Sequence, residues 1–567
     1  MRLLYAICSV LLAPALALCQ SADSPKTATP DKESATVAGQ VVRADTGEPL
    51  KKAQVSLQGR AGDAWSAFRL TDDQGRFSFE NVPPNSYGLH VSRNGFVDAE
   101  YGQRKLGAPG AVLAVSGGQR MADLVFKMIH AASISGHVYD EDLEPLSHAE
   151  VLVYLASRQS GKEELNGYEQ ISTNDLGEFR VFDLAPGRYF LVANYRLQQH
   201  GGLSFVEARK NYNPGYLPTY YPNTTDSSKA SPITVSAGDD VRSVDFMLRP
   251  GRLATVSGRV TGTVPDADHS GGGVVYLYPK GTGLGGATHD LYCFLQKDGR
   301  FSIADVLPGS YYIETDWSQR DSKQRFRTRR EIDVAQVDVN NLTITVAPGL
   351  TVTGRVLWDG SPSTKDQQVV VCLYPTEEHS LNPEPQTIRP DGSFTFEDVS
   401  AGSYRLAIKD VGLNNTTFVK SARYGSVTIG DAGFTIQAGS DAILELTVSS
   451  RAPRVSGTVL TADSLPLPGA QVILIPDPPR RSIKHYYKTA STDQNGRFSL
   501  ECIAPGDYKL FSWDSLEGNE WSDAEWHDAA WLKPFEAKGE SIHLEESDKK
   551  SVNLTLIETK PDSPAAN

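Results

Sequence analysis

The sequence predicts an all-β protein of five tandem antiparallel β-sandwich domains, with a short helix in the last. Three observations carry this. A pentapeptide recurs five times, as Val37-x-Gly39-x-Val41, Ile134-x-Gly136-x-Val138, Val256-x-Gly258-x-Val260, Val352-x-Gly354-x-Val356 and Val455-x-Gly457-x-Val459. Its copies lie roughly 100 residues apart, too far for a solenoid repeat and right for a small domain. Each copy is followed by runs in which apolar and polar residues alternate with period two, as in a half-buried strand. Finally, 567 residues with 49 Gly, 33 Pro, 23 Tyr and 20 Phe are the composition of a folded, turn-rich chain too long for one domain.

From the N-terminus, Arg2, an apolar run over 3–12 and the small-residue site Ala15-Leu16-Ala17 read as a secretory signal peptide covering 1–17. Leu16-Ala17-Leu18-Cys19 resembles a bacterial lipoprotein cleavage box with Leu18 in place of the usual small residue, so an N-terminal lipid anchor at Cys19 is the alternative to plain cleavage. Residues 18–35 are polar and read as a flexible tether. The five sandwiches are placed at 36–128, 131–249, 253–347, 350–448 and 453–557, and 558–567 as a disordered tail. No later stretch approaches the roughly 20 apolar residues that a transmembrane helix needs. The mature chain is therefore expected to be exported: secreted, periplasmic or at the cell surface.

Within each unit the order of elements repeats. A second strand follows the pentapeptide, as in Ala53-Val55-Leu57 and Ala470-Val472-Leu474. Next comes an acidic turn and a strand, Asp72-Asp73-Gln74-Gly75-Arg76-Phe77-Ser78-Phe79 in the first copy and Asp493-Gln494-Asn495-Gly496-Arg497-Phe498-Ser499-Leu500 in the fifth, which is a hairpin signal. Then Pro186-Gly187-Arg188-Tyr189, Pro308-Gly309-Ser310-Tyr311 and Pro505-Gly506-Asp507-Tyr508 predict a type II turn with glycine at its left-handed position. Asn85 stands for that glycine in copy one, and copy four keeps Gly402 after Ala401. The tyrosine opens another inward-facing strand, and a final strand such as Val244-Phe246-Leu248 closes the unit.

This succession of Val-x-Gly-x-Val, Asp-x-x-Gly-x-Phe and Pro-Gly-x-Tyr resembles the carboxypeptidase regulatory-like domain, a transthyretin-like (prealbumin-like) sandwich related in fold to the B-type repeats of collagen adhesins. It covers nearly all of 36–557. The resemblance implies non-catalytic domains associated with carbohydrate or protein binding, or with support of a neighbouring module.

The charge balance of 55 Lys+Arg against 69 Asp+Glu, net -14, argues against nucleic acid, because such a chain releases no counterions from a phosphate backbone. His543-Leu544-Glu545-Glu546 has the His-x-x-Glu spacing of zinc carboxypeptidases, but no histidine follows it to complete a ligand set. No nucleophile elbow or phosphate loop appears, so neither catalysis nor a cofactor or metal is expected. The acidic turns at Asp72, Asp73, Asp175, Asp298, Asp391 and Asp493 each offer one or two carboxylates where calcium wants six to eight oxygens, and plain hairpins are preferred. Cys293, Cys372 and Cys502 fall in three different units and read as small packed hydrophobes.

The candidate ligand-binding residues are aromatic. Tyr216, Tyr220 and Tyr221 lie in a proline-stiffened insertion of the second unit, whose bland reading is a loop folded on its own domain. Tyr276, Tyr278 and Tyr374 are outward positions of second strands, as are Leu152, Tyr154, Ile473 and Ile475, so those faces need a cover or a ligand. Trp521, Trp526 and Trp531 surround the capping box Ser522-Asp523-Ala524-Glu525. They read as a hydrophobic staple on a short helix, with a sugar-stacking platform as the alternative. Arg325, Arg327 and Arg329 align on one face of a strand, read as protection of a sheet edge, with acidic glycan the other reading. The expected partners are carbohydrate or a cell-surface protein, and the alternative function is a structural spacer or adhesin stalk.

Overall fold

The computed structural model describes residues 34–557 apart from 61–64, 160–161, 196–214, 263–272, 281–290, 297, 319–324, 361–367, 377–381, 412–416, 431–432 and 515–524. The signal peptide, Cys19, nearly all of the tether and the tail lie outside the described residues, as does Trp521.

Five apolar cores follow one another along the chain, each between two sheets except the third, whose seven strands form one continuous sheet wrapped around its core. In the first, Ala35–Arg43, Arg76–Val82 and Arg120–Met128 form one sheet; Gln54–Gly59, Ser66–Leu70 and Asn85–Ser92, with two short strands, form the other. Val37, Val41, Phe77 and Phe79 of one sheet share a core with Val55, Leu57, Tyr87 and Leu89 of the other, the alternation that period two requires. Neighbouring strands are antiparallel with one recurrent exception. The opening and closing strands of each unit run parallel, as Ala35–Arg43 does with Arg120–Met128 and Arg454–Leu460 with Lys549–Thr555.

That parallel pair explains the pentapeptide. A Cβ on Gly39, Gly136, Gly258 or Gly457 would overlap the carbonyl oxygen of Leu124, Val244, Leu342 or Val552 on the closing strand; on Gly354 it would overlap the Phe394 ring. On its other side each glycine stands opposite the phenylalanine after the acidic turn: Gly39 with Phe77, Gly136 with Phe179, Gly258 with Phe301, Gly354 with Phe394, Gly457 with Phe498. Two motifs roughly 40 residues apart in sequence thus form one crossing.

The acidic turns are closed by their own side chains. Asp72 Oδ1 accepts from the N–H groups of Gln74 (2.9 Å) and Arg76 (2.8 Å), and Asp493 Oδ1 from those of Asn495 and Arg497 (both 2.8 Å). In the second unit Asn174 does this, accepting from Leu176 and Glu178, while Asp175 is its neighbour. Just before these turns, buried Thr71, Thr173 and Thr492 each donate to a leucine carbonyl at 2.6 Å and accept an alanine N–H at 2.9 Å. This ties the turn to the second strand.

The Pro-Gly-x-Tyr segment departs from the predicted turn. Gly187, Gly309 and Asn85 open strands Gly187–Asn194, Gly309–Ser318 and Asn85–Ser92 and are not left-handed. The left-handed residue lies a few positions earlier, at Asn81 (φ 57), Asp183 (φ 56), Asp305 (φ 59), Asp398 (φ 58) and Cys502 (φ 53). The motif's tyrosine explains the tight return: each buried ring sends its hydroxyl back four residues, Tyr87 to the Pro83 carbonyl, Tyr189 to Ala185, Tyr311 to Leu307, Tyr404 to Ser400 and Tyr508 to Ala504, at 2.7–2.9 Å.

Adjacent sandwiches are tightly joined. Tyr216–Leu217 pairs with Arg249–Pro250 at the second junction. At the fourth, Lys420 and Arg451 bridge Asp359 (2.6 and 3.1 Å) and Glu546 (2.8 and 2.6 Å). The first and fifth sandwiches also touch. The Gln494 side-chain amide accepts from the Ala114 N–H (2.9 Å) and donates to the Ala114 carbonyl (2.8 Å), Val112 bridges Asp493, and Lys105 faces Asp514 at 3.7 Å. The chain is folded back on itself.

Gly136→Ala should destabilise the second sandwich by about 1–3 kcal/mol or more, since a carbonyl of the sheet must move. Gly187→Ala should stay within about 1 kcal/mol, because the new methyl meets only the end of Leu155 at 3.0 Å. Denaturant melts of the two variants check this. Asp359 and Glu546 are held below the usual carboxylate range, chiefly by hydrogen bonds from Lys420. Such groups contribute above the unfolded carboxylate pKa of about 4 and lose that contribution as pH falls through the lower folded values. Distances between labels on the fourth and fifth sandwiches should therefore be narrowly distributed at neutral pH and broaden below about pH 4.

Candidate functional site

The outer face of the sheet carrying the second strand distinguishes the sandwiches. In the second unit Leu152, Phe190, Val192 and Tyr220 form a small buried cluster against Tyr154, Leu165 and Ala230. Tyr220 is thus covered, and burial pushes its hydroxyl up to about 12. Tyr216 donates to Glu141 at 2.9 Å and its ring meets Tyr195 edge-on, while Tyr221 packs on the domain core. The tyrosine insertion folds onto its own domain and presents none of these three as an open platform.

In the fifth unit the outer face is roofed by Trp526, Leu532, Trp531 and Phe535, lying over Ile473, Ile475, Tyr487, Phe511 and Trp513. Trp526 is 1% exposed, so it offers no face to a sugar; Trp531 is half-buried against Trp513 (5.6 Å) and Phe535 (4.9 Å). The helix here is Ala529–Leu532, capped by Asp528, whose carboxylate accepts from the Ala530 N–H at 2.7 Å. It starts later than the Ser522 box implied, and the predicted Trp521–Trp526 staple lies partly outside the described residues. In the fourth unit Cys372 is buried, Lys409 covers Tyr374 at 5.6 Å, and Arg405 and Ala407 line a cleft of about 170 Å³ shared with Tyr486, Lys488 and Cys502 of the fifth. Cys502 holds the left-handed slot, a backbone role that its reading as a packed hydrophobe missed.

The third unit is different. Tyr276 and Tyr278 stack with centroids 5.7 Å apart and planes 11° from parallel, Tyr292 stands 6.1 Å from Tyr276, and Phe294 lies 6.0 Å beyond. Tyr292 is 58% and Phe294 68% exposed. The strand Leu291–Phe294, not singled out from the sequence, supplies the open half of this strip. Only its period-two alternation of Leu291 and Cys293 inward with Tyr292 and Phe294 outward marks it. Across the sheet Tyr276 is opposite Glu314, and Glu314 opposite Arg329. Arg329 lies over the Tyr312 ring at 3.8 Å, and Arg327 meets Asp316 at 3.3 Å. The arginine strand Arg325–Val334 is hydrogen-bonded along its length to Gly309–Ser318 and at Phe326–Arg327 to Val339–Pro348. Arg327 and Arg329 therefore complete a charged row inside a sheet, where edge protection had been expected; the Arg325 side chain lies outside the described residues. Glu314 is 5% exposed, its Oε2 has no hydrogen-bond partner, and burial pushes its carboxyl above the usual range against the pull of Arg329 and Arg327.

His543 Nδ1 lies 2.6 Å from Asp507 and Glu546 is held by Arg451 and Lys420, so the two side chains of the His-x-x-Glu pair have separate partners. Among the described residues no group of three His, Cys, Asp or Glu side chains could hold a metal ion, and none of their helices is long and apolar enough to cross a membrane.

Residues 36–120 match the family model of the carboxypeptidase regulatory-like domain. The match spans most of the first sandwich, and the other four sandwiches repeat its motif order. No curated protein matches the chain. Similar solved structures include a minor pilin of Streptococcus agalactiae (14% identity, 38% of this chain and 97% of that one, TM-score 0.22). A shaft pilin of Lactobacillus rhamnosus GG aligns at 11% identity (39% and 98%, TM-score 0.19), and the TIE protein of Bacillus anthracis at 11% (73% and 68%, TM-score 0.15). Superpositions this loose say nothing about what this chain binds.

Trp526→Ala should cost the fifth sandwich about 3–5 kcal/mol, the scale of a fully buried ring lost to a cavity. Calorimetry should show that loss equally with and without added glycan; a variant that melts like wild type would place the ring outside the core.

Proposed function

We propose that this is an exported, non-catalytic binding protein whose tandem sandwiches present a surface to polysaccharide or to a cell-surface protein. The observation that carries the reading is the third unit's outer sheet face. In the second and fifth units the corresponding faces bear their own apolar clusters, whereas here exposed aromatics border a charged row. Large exposed aromatics are costly to leave in water, and a contiguous set of them marks a surface that meets something. Export rests on the basic, apolar and small-residue succession over 1–17.

A spacer or adhesin stalk is the second reading, favoured by five repeated cores joined through short junctions. The contact of the fifth sandwich with the first weighs against a fully extended rod. Two measurements on the mature chain separate the readings. A binder should give hits on a glycan array or retain a surface protein, and small-angle scattering should report a folded-back particle. A rod five domains long with no ligand would reject the binding reading in favour of the spacer.

A further inference from the structure

The geometry points to the outer face of the third sandwich as a carbohydrate-binding site, taking an uncharged polysaccharide on Tyr276, Tyr278 and Tyr292, with Glu314 accepting a sugar hydroxyl. The inference deepens the binding reading above and rests on it.

Two rows lie side by side on this face. The aromatic row is Tyr278, Tyr276, Tyr292 and Phe294, with the first two rings near parallel at 5.7 Å. Tyr276 and Tyr278 are stacked on one another, and Tyr292, tilted 41° to Tyr276 and 58% exposed, is the open ring beside them; a pyranose, with an apolar face and hydroxyls around its rim, matches an open aromatic ring next to a polar row. The polar row is next to it: Glu314 directly across from Tyr276, Asp316 across from Val274, and Arg329 and Arg327 on the strand beyond. Across the sheet the order is Tyr292, Tyr276, Glu314, so a sugar chain packed on Tyr292 and running over the Tyr276–Tyr278 pair would bring its rim to Glu314.

Glu314 is the second, independent observation. An outward-facing carboxylate that is 5% exposed, with one oxygen lacking any donor, carries a desolvation cost that nothing in the sheet offsets in full. Arg327 Nε, also buried, lacks an acceptor, so this row holds both an unused acceptor and an unused donor, and a hydroxyl can serve either. A polymer with hydroxyls on every ring supplies such partners along the whole row, whereas an apolar protein surface laid on the face would leave these groups unpaired. The charges also select. Lys280, Arg327 and Arg329 stand against Glu314, Asp316, Glu331 and Asp333, so these groups leave no surplus of positive charge to draw an acidic polymer.

Tyr292→Ala, Tyr276→Ala and Glu314→Gln in the full mature chain test this, read by titration with the neutral polysaccharides that score on a glycan array. Phe68→Ala, exposed on the first sandwich, is the control. Each tyrosine variant is expected to weaken binding by about tenfold, and Glu314→Gln by about tenfold, while Phe68→Ala binds as wild type. Glu314→Gln should melt at the wild-type temperature or above it, because burial already disfavours the charged form; a purely structural carboxylate would give a lower melting temperature and unchanged binding. Tyr292, more than half exposed, keeps the test valid should Tyr276→Ala disturb the sheet. Glycan hits that survive all three variants would overturn the site while leaving the binding reading intact. Capture of a surface protein without any glycan, sensitive to Tyr292→Ala, would overturn the carbohydrate. Absence of every ligand would remove the binding reading and this inference with it.

Discussion

Each sandwich depends on one crossing, where a glycine of the opening strand lies between the carbonyl of a parallel neighbour and the ring of an antiparallel one. Gly39 takes the Leu124 carbonyl on one side and Phe77 on the other, and the same three parts recur at Gly136, Gly258 and Gly457. In the fourth unit the Phe394 ring makes the closest approach to Gly354 and the Leu444 carbonyl stands at 2.8 Å from where a Cβ would be. A side chain there would push apart the strand that begins the domain and the strand that ends it, so the crossing joins the two ends of each unit. Glycine is required for its missing Cβ and not for a left-handed backbone, since none of these five residues has positive φ.

This constraint explains why the motif order was readable and why one turn was misread. Val-x-Gly-x-Val and Asp-x-x-Gly-x-Phe are two sides of a single contact, so they persist together, and period-two alternation placed the inward residues Phe77, Phe79, Tyr87 and Leu89 correctly. Pro-Gly-x-Tyr was assigned a type II turn because proline and glycine suit one. The left-handed residue is instead an Asn, Asp or Cys before the proline, in the first four units inside the strand at a shift of register, and the tyrosine hydroxyl fastens the return that follows. A left-handed Asp183 or Asp398 leaves a faint mark in sequence, since Asp and Asn tolerate that region; Cys502 leaves none.

Aromatic residues were easy to find and hard to sort. Tyr216, Tyr220, Tyr276 and Trp526 read alike in sequence, as bulky residues on outward strand positions, insertions or helix starts. What separates them is cover, and cover comes from residues distant in the chain: Tyr220 lies in the insertion that closes over Leu152 and Phe190, and Trp526 belongs to a roof over Ile473 and Trp513. Periodicity reports which face of a strand a residue occupies but not what lies above that face. The contact between Gln494 and Ala114, 380 positions apart, was invisible for the same reason, since a glutamine in a turn carries no mark of the backbone it will meet.

The outer sheet face is thus the variable part of an otherwise constant unit. The crossing and the tyrosine return, joined in three units by the buried threonine hydroxyl, fix the inward residues, so change is concentrated at outward positions, insertions and junctions. Insertion closes the face in the second unit and helical turns close it in the fifth, and the fourth turns part of its face to the fifth across a cleft. The first unit leaves Phe68 and Leu70 exposed on the strand Ser66–Leu70, and in the third, where among the described residues neither insertion nor neighbour roofs the strip, exposed Tyr292 and Phe294 stand beside a buried, incompletely paired Glu314. Burying a carboxylate without a full set of donors opposes stability. Residues that lower the stability of a sheet while ordering its surface chemistry are where function is sought first, and in this chain that places the search on the third sandwich.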